Sequence, residues 1–446
     1  MCSICGVVSE KFRPESTYWG KMCEYVTGSK AIMTKGCFAS GIKYCFVTQI
    51  DNRECFAIID GEINNTNALK YNLNLHGIVF ETGNVAELVL LCYIYFGERV
   101  FKIIKGKFTA VIWNGCENEL ILLRDKVGIN TIFYYFDDLR FAFASEIKGV
   151  LMFPFVKKEL CDDIYCRLFA LSSGLRQNET LFSNIYEVPP GCFIRHKNFK
   201  TQVVSYHTFC LKDSADNFNQ TVSGIEYLCK NCFDMPVMTE KVIGKQKLAD
   251  YIERYVEISD FPTPYINLKT LSNLDSNDVF ADFMWIFNVS ERFELPSVWC
   301  KMQDIEYVNR FLSTLPWFEH KDEKDITKKE GVYIKQYIVI PQLVYARKKA
   351  CKNLVFPLLD EEITDYSLKS LKYAKKLSKL FACDSAKRNK ENYKNLKELF
   401  NEMLLCDNAM CGLIDKQELI RLTKVSPRPE TMLYLLQVDA WLKKYL

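Results

Sequence analysis

A polar, turn-rich stretch at residues 211–224 (LKDSADNFNQTVSG) divides the sequence into halves with different hydrophobic rhythm. Before it, short β-branched or aromatic runs recur at 44–48, 55–59, 110–113, 120–123, 131–136 and 141–144. Turn residues bound them (Asp51-Asn52, Asn114-Gly115, Asp137-Asp138), which is the pattern of β-strands. Two helices are expected among these strands, at 17–27 and 84–96, the second capped by Asn84 with Glu87 three residues on. After the polar stretch, apolar residues recur at helical spacing in 245–259, 277–288, 332–352, 363–381, 392–406 and 430–446. With 446 residues the chain is long enough for two separate cores. The expected organisation is a domain at 1–208, a linker at 209–225 and a second domain at 226–446.

Composition narrows the class of partner. Apolar residues make up 49% and charged residues 25%, an ordinary globular balance. The net charge is only +3 and neither half is strongly basic, so no nucleic-acid partner is expected. The ten Lys and Arg between Ser367 and Glu398 read as a solvated helix face. No membrane span is expected, because the longest apolar stretch, 86–97, is interrupted by Glu87 and falls short of ~20 residues. No signal peptide is read at the N-terminus, and the cytoplasm is the expected location. The 19 cysteines, an odd number, are expected as reduced thiols, with Cys45, Cys92 and Cys166 acting as small hydrophobes. Cys229 and Cys232 form a CxxC without a second ligand pair, so no metal site is expected.

The chemistry starts at Met1-Cys2-Ser3-Ile4. Removal of Met1 by an aminopeptidase would leave Cys2 with a free α-amine, whose pKa near 8 suits it as general base for its own thiol. Such a nucleophile needs no histidine, and the four here (His76, His196, His207, His320) are scattered. The bland alternative is an ordinary thiol on a first strand.

Further landmarks follow in order: Asp60-Gly61-Glu62-Ile63-Asn64-Asn65 after a strand, then Glu81-Thr82-Gly83-Asn84-Val85-Ala86-Glu87. Then come Arg124-Asp125-Lys126-Val127-Gly128, Phe143-Ala144-Ser145-Glu146-Ile147-Lys148, and Pro189-Pro190-Gly191. This series resembles the asparagine synthetase family, whose patterns are M-C-G-I, N-G-E-I-Y-N, E-T-G-S-D-x-E, R-D-x-x-G, F-A-S-E-x-K and P-P-G. The resemblance implies an Ntn-hydrolase αββα sandwich, a class II glutamine amidotransferase domain, over residues 1–208. It implies Cys2 as nucleophile, Gly61 and the position of Asp60 at the oxyanion, and Glu62, Gly83 and Asn84 as substrate-binding positions. Glutamine is the implied substrate.

Three departures bear on that chemistry. Asp60 stands where the family has Asn, and a carboxylate has no proton to donate to an oxyanion. Val85 stands where the family acid grips the glutamine α-amine. Residues 43–50 hold no arginine for the α-carboxylate.

The second half resembles the same family more distantly. Leu271-Ser272-Asn273-Leu274-Asp275-Ser276-Asn277-Asp278 is similar to L-S-G-E-G-S-D-E, with both glycines replaced, by Asn273 and Asp275. Ser272, Asn273, Asp275, Ser276 and Asp278 are thus read as a degenerate ATP loop. Val355-Phe356-Pro357 and Asp439-Ala440-Trp441-Leu442 resemble later landmarks. The family's S-G-G-x-D-S pyrophosphate loop has no counterpart, Val222-Ser223-Gly224 being the nearest fragment. The family implies ATP and magnesium, but this loop is missing. The expected second domain is therefore a degenerate, mostly helical α/β fold.

Two functions are open at this point. One is a glutamine amidotransferase that frees ammonia for amide formation. The other is an inactive pseudo-synthetase, a scaffold or regulatory subunit in a homo- or hetero-oligomer with an intact paralogue.

Overall fold

The computed structural model describes residues 3–9, 16–30, 32–33, 37–41, 43–80, 82–161, 178–207, 244–258, 390–405 and 429–445. The chain divides into two compact units: residues 1–160 with 177–209, and residues 161–176 with 210–446. The expected linker and the expected helices at 277–288, 332–352 and 363–381 lie outside the described residues. So do Cys229, Cys232 and most of the Lys-rich stretch.

The first unit is built on two antiparallel six-stranded sheets. Its strands are β1 (Ile4–Ser9), β2 (Ile32–Met33), β3 (Cys37–Gly41), β4 (Tyr44–Ile50), β5 (Arg53–Ile63) and β6 (Gly106–Asn114). They continue with β7 (Glu119–Arg124), β8 (Phe133–Phe136), β9 (Arg140–Ala144), β10 (Tyr186–Glu187), β11 (Cys192–Lys197) and β12 (Lys200–Ser205). One sheet runs β10-β8-β9-β1-β3-β2 and the other β12-β11-β7-β6-β5-β4.

Alternation along β5 shows how the sheets face each other. Phe56 and Ile58 pack with Ile4, Val8 and Phe143 of the first sheet. Cys55, Ala57 and Ile59 point the other way, onto Leu69, Leu73, Leu88 and Val89. Those leucines belong to helices α2 (Thr66–Leu75) and α3 (Val85–Phe96). β6 and β7 split their side chains between the same two cores. Strands buried on both faces read as continuous apolar runs, which is why the sequence shows runs there and little alternation. Helices α1 (Ser16–Thr27) and α4 (Ile147–Leu151) pack against the first sheet. The layers are helix, sheet, sheet, helix: the αββα sandwich.

Two local readings need correction. β5 does not turn at Gly61; it continues to Ile63, with Gly61 opposite Phe108 and Ile63 opposite Gly106. Helix α2 was not anticipated, since its one-sided pair Leu69 and Leu73 is set among Asn, Lys and Tyr.

In the second unit three helices are described: α5 (Lys245–Ile258), α6 (Lys390–Leu405) and α7 (Pro429–Tyr445). Each packs on the other two. Leu248 and Ile252, Leu396 and Phe400, and Leu435, Trp441 and Leu442 are buried in this cluster.

Candidate active site

The first sheet begins beside the end of β5. Ser3, immediately before β1, is fixed by its backbone: its N–H donates to Ser145 Oγ at 2.8 Å, and Ile4 N–H reaches the same oxygen at 3.3 Å. Ser145 N–H returns a bond to Ile4 O at 2.9 Å. Thr131 Oγ1 donates to Ser145 O at 2.9 Å. The serine of the F-A-S-E landmark thus clamps the residue that follows Cys2. Met1 and Cys2 themselves lie outside the described residues.

Ser3 also links the two sheets. Its hydroxyl donates to Asp60 Oδ2 at 2.5 Å. The Lys43 ammonium lies 3.6 Å from Asp60 Oδ1, in a half-exposed ion pair. The Asp60 carboxylate therefore occupies the mouth between the sheets, beside Gly61. Directly across from Asp60 in β6 is Thr109, whose fully buried hydroxyl has no hydrogen-bond partner among the described residues.

Gly61 is required by geometry. Its φ is +121°, and a Cβ there would come 2.1 Å from Lys107 O and 2.6 Å from Asn130 Nδ2. Asn130 explains the crowding: its Nδ2 donates to Asp60 O at 2.9 Å and approaches Lys107 O at 3.4 Å. This side chain orients the Asp60–Gly61 peptide, the group expected at the oxyanion. Glu62 is exposed and stands opposite Lys107.

The R-D-x-x-G landmark forms a structural hub behind Asn130. Arg124 donates from Nε to Asn130 O (3.0 Å), from Nη2 to Gly128 O (2.8 Å) and from Nη1 to Glu187 Oε1 (2.7 Å) and Val188 O (2.6 Å). Asp125 accepts from the N–H groups of Val127, Gly128 and Ile129 at 2.9, 2.8 and 3.1 Å. Its complete burial outweighs those bonds and the Arg124 charge, pushing its pKa up to about 6. Gly191 N–H donates to Asp125 O at 3.0 Å, tying the P-P-G turn to the same hub.

Gly83 and Asn84 have other neighbours. Asn84 caps α3, its Oδ1 accepting from Ala86 N–H at 2.9 Å, while its Nδ2 donates to Cys45 O of β4 at 2.9 Å. Glu87 reaches back to Thr82, accepting from its N–H at 2.9 Å and from its hydroxyl. Gly83 has φ +74° with open space around its Cα. Val85 packs on the core beneath α3. The structure thus brings Ser3, Asp60, Gly61 and the 124–131 loop together, whereas the Asn84 bonds run to α3 and β4. Sequence reading missed Asn130, Thr109 and the Lys43–Asp60 pair. Asn130 sits at a position that the landmark pattern leaves open, and contacts across sheets leave no local trace in sequence.

The degenerate ATP loop residues Ser272, Asn273, Asp275, Ser276 and Asp278 lie outside the described residues. No group of His, Cys, Asp and Glu able to hold a metal is found among the described residues. No helix among them is long and apolar enough to cross a membrane.

Comparison with known proteins adds similarities to the first unit. Residues 47–207 match the model of the glutamine amidotransferase domain. Asparagine synthetase [glutamine-hydrolyzing] 3 of Bacillus subtilis (strain 168) is 27% identical over 188 residues, covering 41% of this chain and 31% of the relative. Amidase chry2 of Gibberella zeae is 27% identical over 138 residues, covering 31% of this chain and 20% of the relative. The chain thus spans less than a third of the length of these relatives. Among solved structures, glutamine phosphoribosylpyrophosphate amidotransferase from B. subtilis, complexed with ADP and GMP, is 14% identical. It aligns at a TM-score of 0.34, over 58% of this chain and 59% of that one.

Proposed function

We propose that the chain is an asparagine synthetase-like member of the class II glutamine amidotransferase family and that its first domain hydrolyses the glutamine amide at Cys2, at a rate held down by Asp60. With Met1 removed, the α-amine takes the thiol proton and the thiolate attacks the carboxamide carbon. The carbonyl oxygen becomes an oxyanion, and collapse returns the proton to nitrogen, releasing ammonia and leaving a thioester. Water then cleaves the thioester to glutamate and restores the thiol.

The oxyanion is where this chain differs. Gly61 N–H is one donor, and Asn130 holds the peptide that carries it. The second donor position is filled by Asp60, which has no proton to give. Removing one oxyanion donor costs about 10²–10³ in turnover. Lys43 offsets part of the repulsion, since opposite charges ~4 Å apart are worth about 1 kcal/mol in water and about 4 at an effective dielectric constant near 20. The observation that carries this reading is the Ser3–Asp60 bond, which sets the carboxylate beside Gly61 at the residue following Cys2.

The test is glutamate and ammonia release from glutamine, on protein confirmed by mass spectrometry to begin at Cys2, beside Cys2→Ala. Asp60→Asn is expected to raise the rate about 10²-fold. A measurable wild-type rate that Asp60→Asn leaves unchanged overturns the role given to Asp60. The second reading, a scaffold paired with an intact paralogue, is favoured by Val85, an apolar residue where the family acid would hold the α-amine. Silence of both wild type and Asp60→Asn would decide for that reading. We extend the proposal to the second domain: lacking the pyrophosphate loop and both glycines at Asn273 and Asp275, it does not activate an acid with ATP in the family's way.

A further inference from the structure

At the opposite end of the β5–β6–β7 ladder two thiols meet. Asp51 and Asn52 turn the β4–β5 hairpin with φ of 49° and 57°. The β6–β7 turn folds over the start of β5, with Gly115 so close that a Cβ would lie 2.2 Å from Glu54 O. That approach seats Cys116 against Cys55. The Cys116 thiol lies close enough to the Cys55 thiol for the two to influence each other's charge, and it reaches Ile50 O at 3.3 Å. Asn114 Oδ1 joins the pair from the side, 3.9 Å from Cys55 Sγ and accepting Cys116 N–H at 3.1 Å.

The two sulfurs differ in access. Cys55 is fully buried, whereas Cys116 is exposed, the one exposed cysteine among the described residues. An oxidant arriving from solvent meets Cys116 first and finds a second thiol close behind it, at the same Asn114 amide oxygen.

The geometry points to Cys55 and Cys116 as a modification site, closed to an intramolecular disulfide by a hydroperoxide. The Cys116 thiol gives up its proton and its sulfur attacks the peroxide O–O bond, forming a sulfenic acid and one water. Cys55 sulfur then attacks the sulfenic sulfur. The S–O bond breaks, the departing hydroxide takes the Cys55 proton, and a second water leaves. Two thiols are oxidised and one hydrogen peroxide is reduced to two waters. The product ties the start of β5 to the β6–β7 turn and closes a loop containing Asp60, Gly61, α2 and α3.

Desolvation of its sulfur, the neighbouring Cys55 and the Asp51 carboxylate hold the Cys116 thiol above its ordinary pKa, against Arg53. The reaction is therefore slow near neutrality and quickens about tenfold per pH unit while the thiolate remains a minority.

The experiment is titration of the full-length reduced chain with hydrogen peroxide between pH 7 and 9, then alkylation and peptide mass spectrometry without reductant. A Cys55–Cys116 linked peptide that dithiothreitol removes is expected, with dimedone trapping sulfenic acid on Cys116 in Cys55→Ser. Should Cys55→Ser not fold, the wild-type peptide map still decides. Three results overturn the proposal: Cys116 proceeding to sulfinic acid while Cys55 stays alkylatable, Cys116 pairing with any other cysteine, or Cys116 unmodified at pH 9.

Discussion

Asp125 and His196 pull the stability of the first unit in opposite directions as pH changes. Asp125 has a folded pKa of about 6, above the 3.8 of an ordinary aspartate, so the folded state binds its proton more tightly. Its contribution is full below pH 4 and is lost as pH rises towards 6. His196 is buried against Phe141, and desolvation lowers its pKa from 6.5 to about 4. Its contribution is present above about 6.5 and is lost as pH falls towards 4. Between about pH 4 and 6 the two slopes oppose, each up to about 1.4 kcal/mol per pH unit. Asp125→Asn removes one of them. In urea unfolding at pH 4.5 and 6, the variant is expected to gain more stability with rising pH than wild type, by about 1–2 kcal/mol. Equal pH responses would show that Asp125 titrates normally. None of this was legible in sequence, where Asp125 is one letter of a landmark. The motif gives the spacing of Asp125 from Gly128; only the fold shows that the carboxylate spends itself on backbone N–H groups.

Elements were more legible than their junctions. Six apolar runs became β4 to β9, because each lies in a ladder between turn residues, and Asp51-Asn52 adopts the left-handed backbone that a tight hairpin needs. β5 ran past Gly61 because pairing with β6 continues through a φ that glycine allows. The short β2 and β3 carry too little pattern to be read; β3 gains its place from β1, and β2 from β3. The start of α3 was legible through its cap. Asn84→Ala removes the bond to Ala86 and leaves Cys45 O without its donor. A loss of about 1–2 kcal/mol is expected in thermal or urea unfolding. A loss below about 0.3 kcal/mol would mean that water replaces both bonds at no cost.

For the whole molecule, the chain divides into two units, residues 161–176 belonging with 210–446, which the change of rhythm after residue 210 does not reveal. The second core is anchored by α7, where residues from Met432 to Asp439 are buried around the full helix. Its end was legible as an apolar-aromatic helix; its all-round burial, which takes in Gln437 and Asp439, was not. Trp441, 1% exposed and against Tyr445, is the largest fully buried side chain. Trp441→Ala is expected to destabilise the second unit by about 3–5 kcal/mol, while the unfolding of the first stays where it was. Calorimetry checks this: one of two transitions should move, and a shift of both together would mean that the units unfold as one.

The strand order of the first sheet sets a clock. β1 lies between β3 and β9, so it completes its pairing only once residues 140–144 are made. At ribosomal speeds of roughly 5–20 residues per second, that interval is on the order of ten seconds. During it, Ser3 and Ile4 have no Ser145 to hold them. Once β9 docks, Ser3 is clamped and paired with Asp60. Synthesis thus separates a period in which Ser3 is unheld from one in which it is fixed at two points.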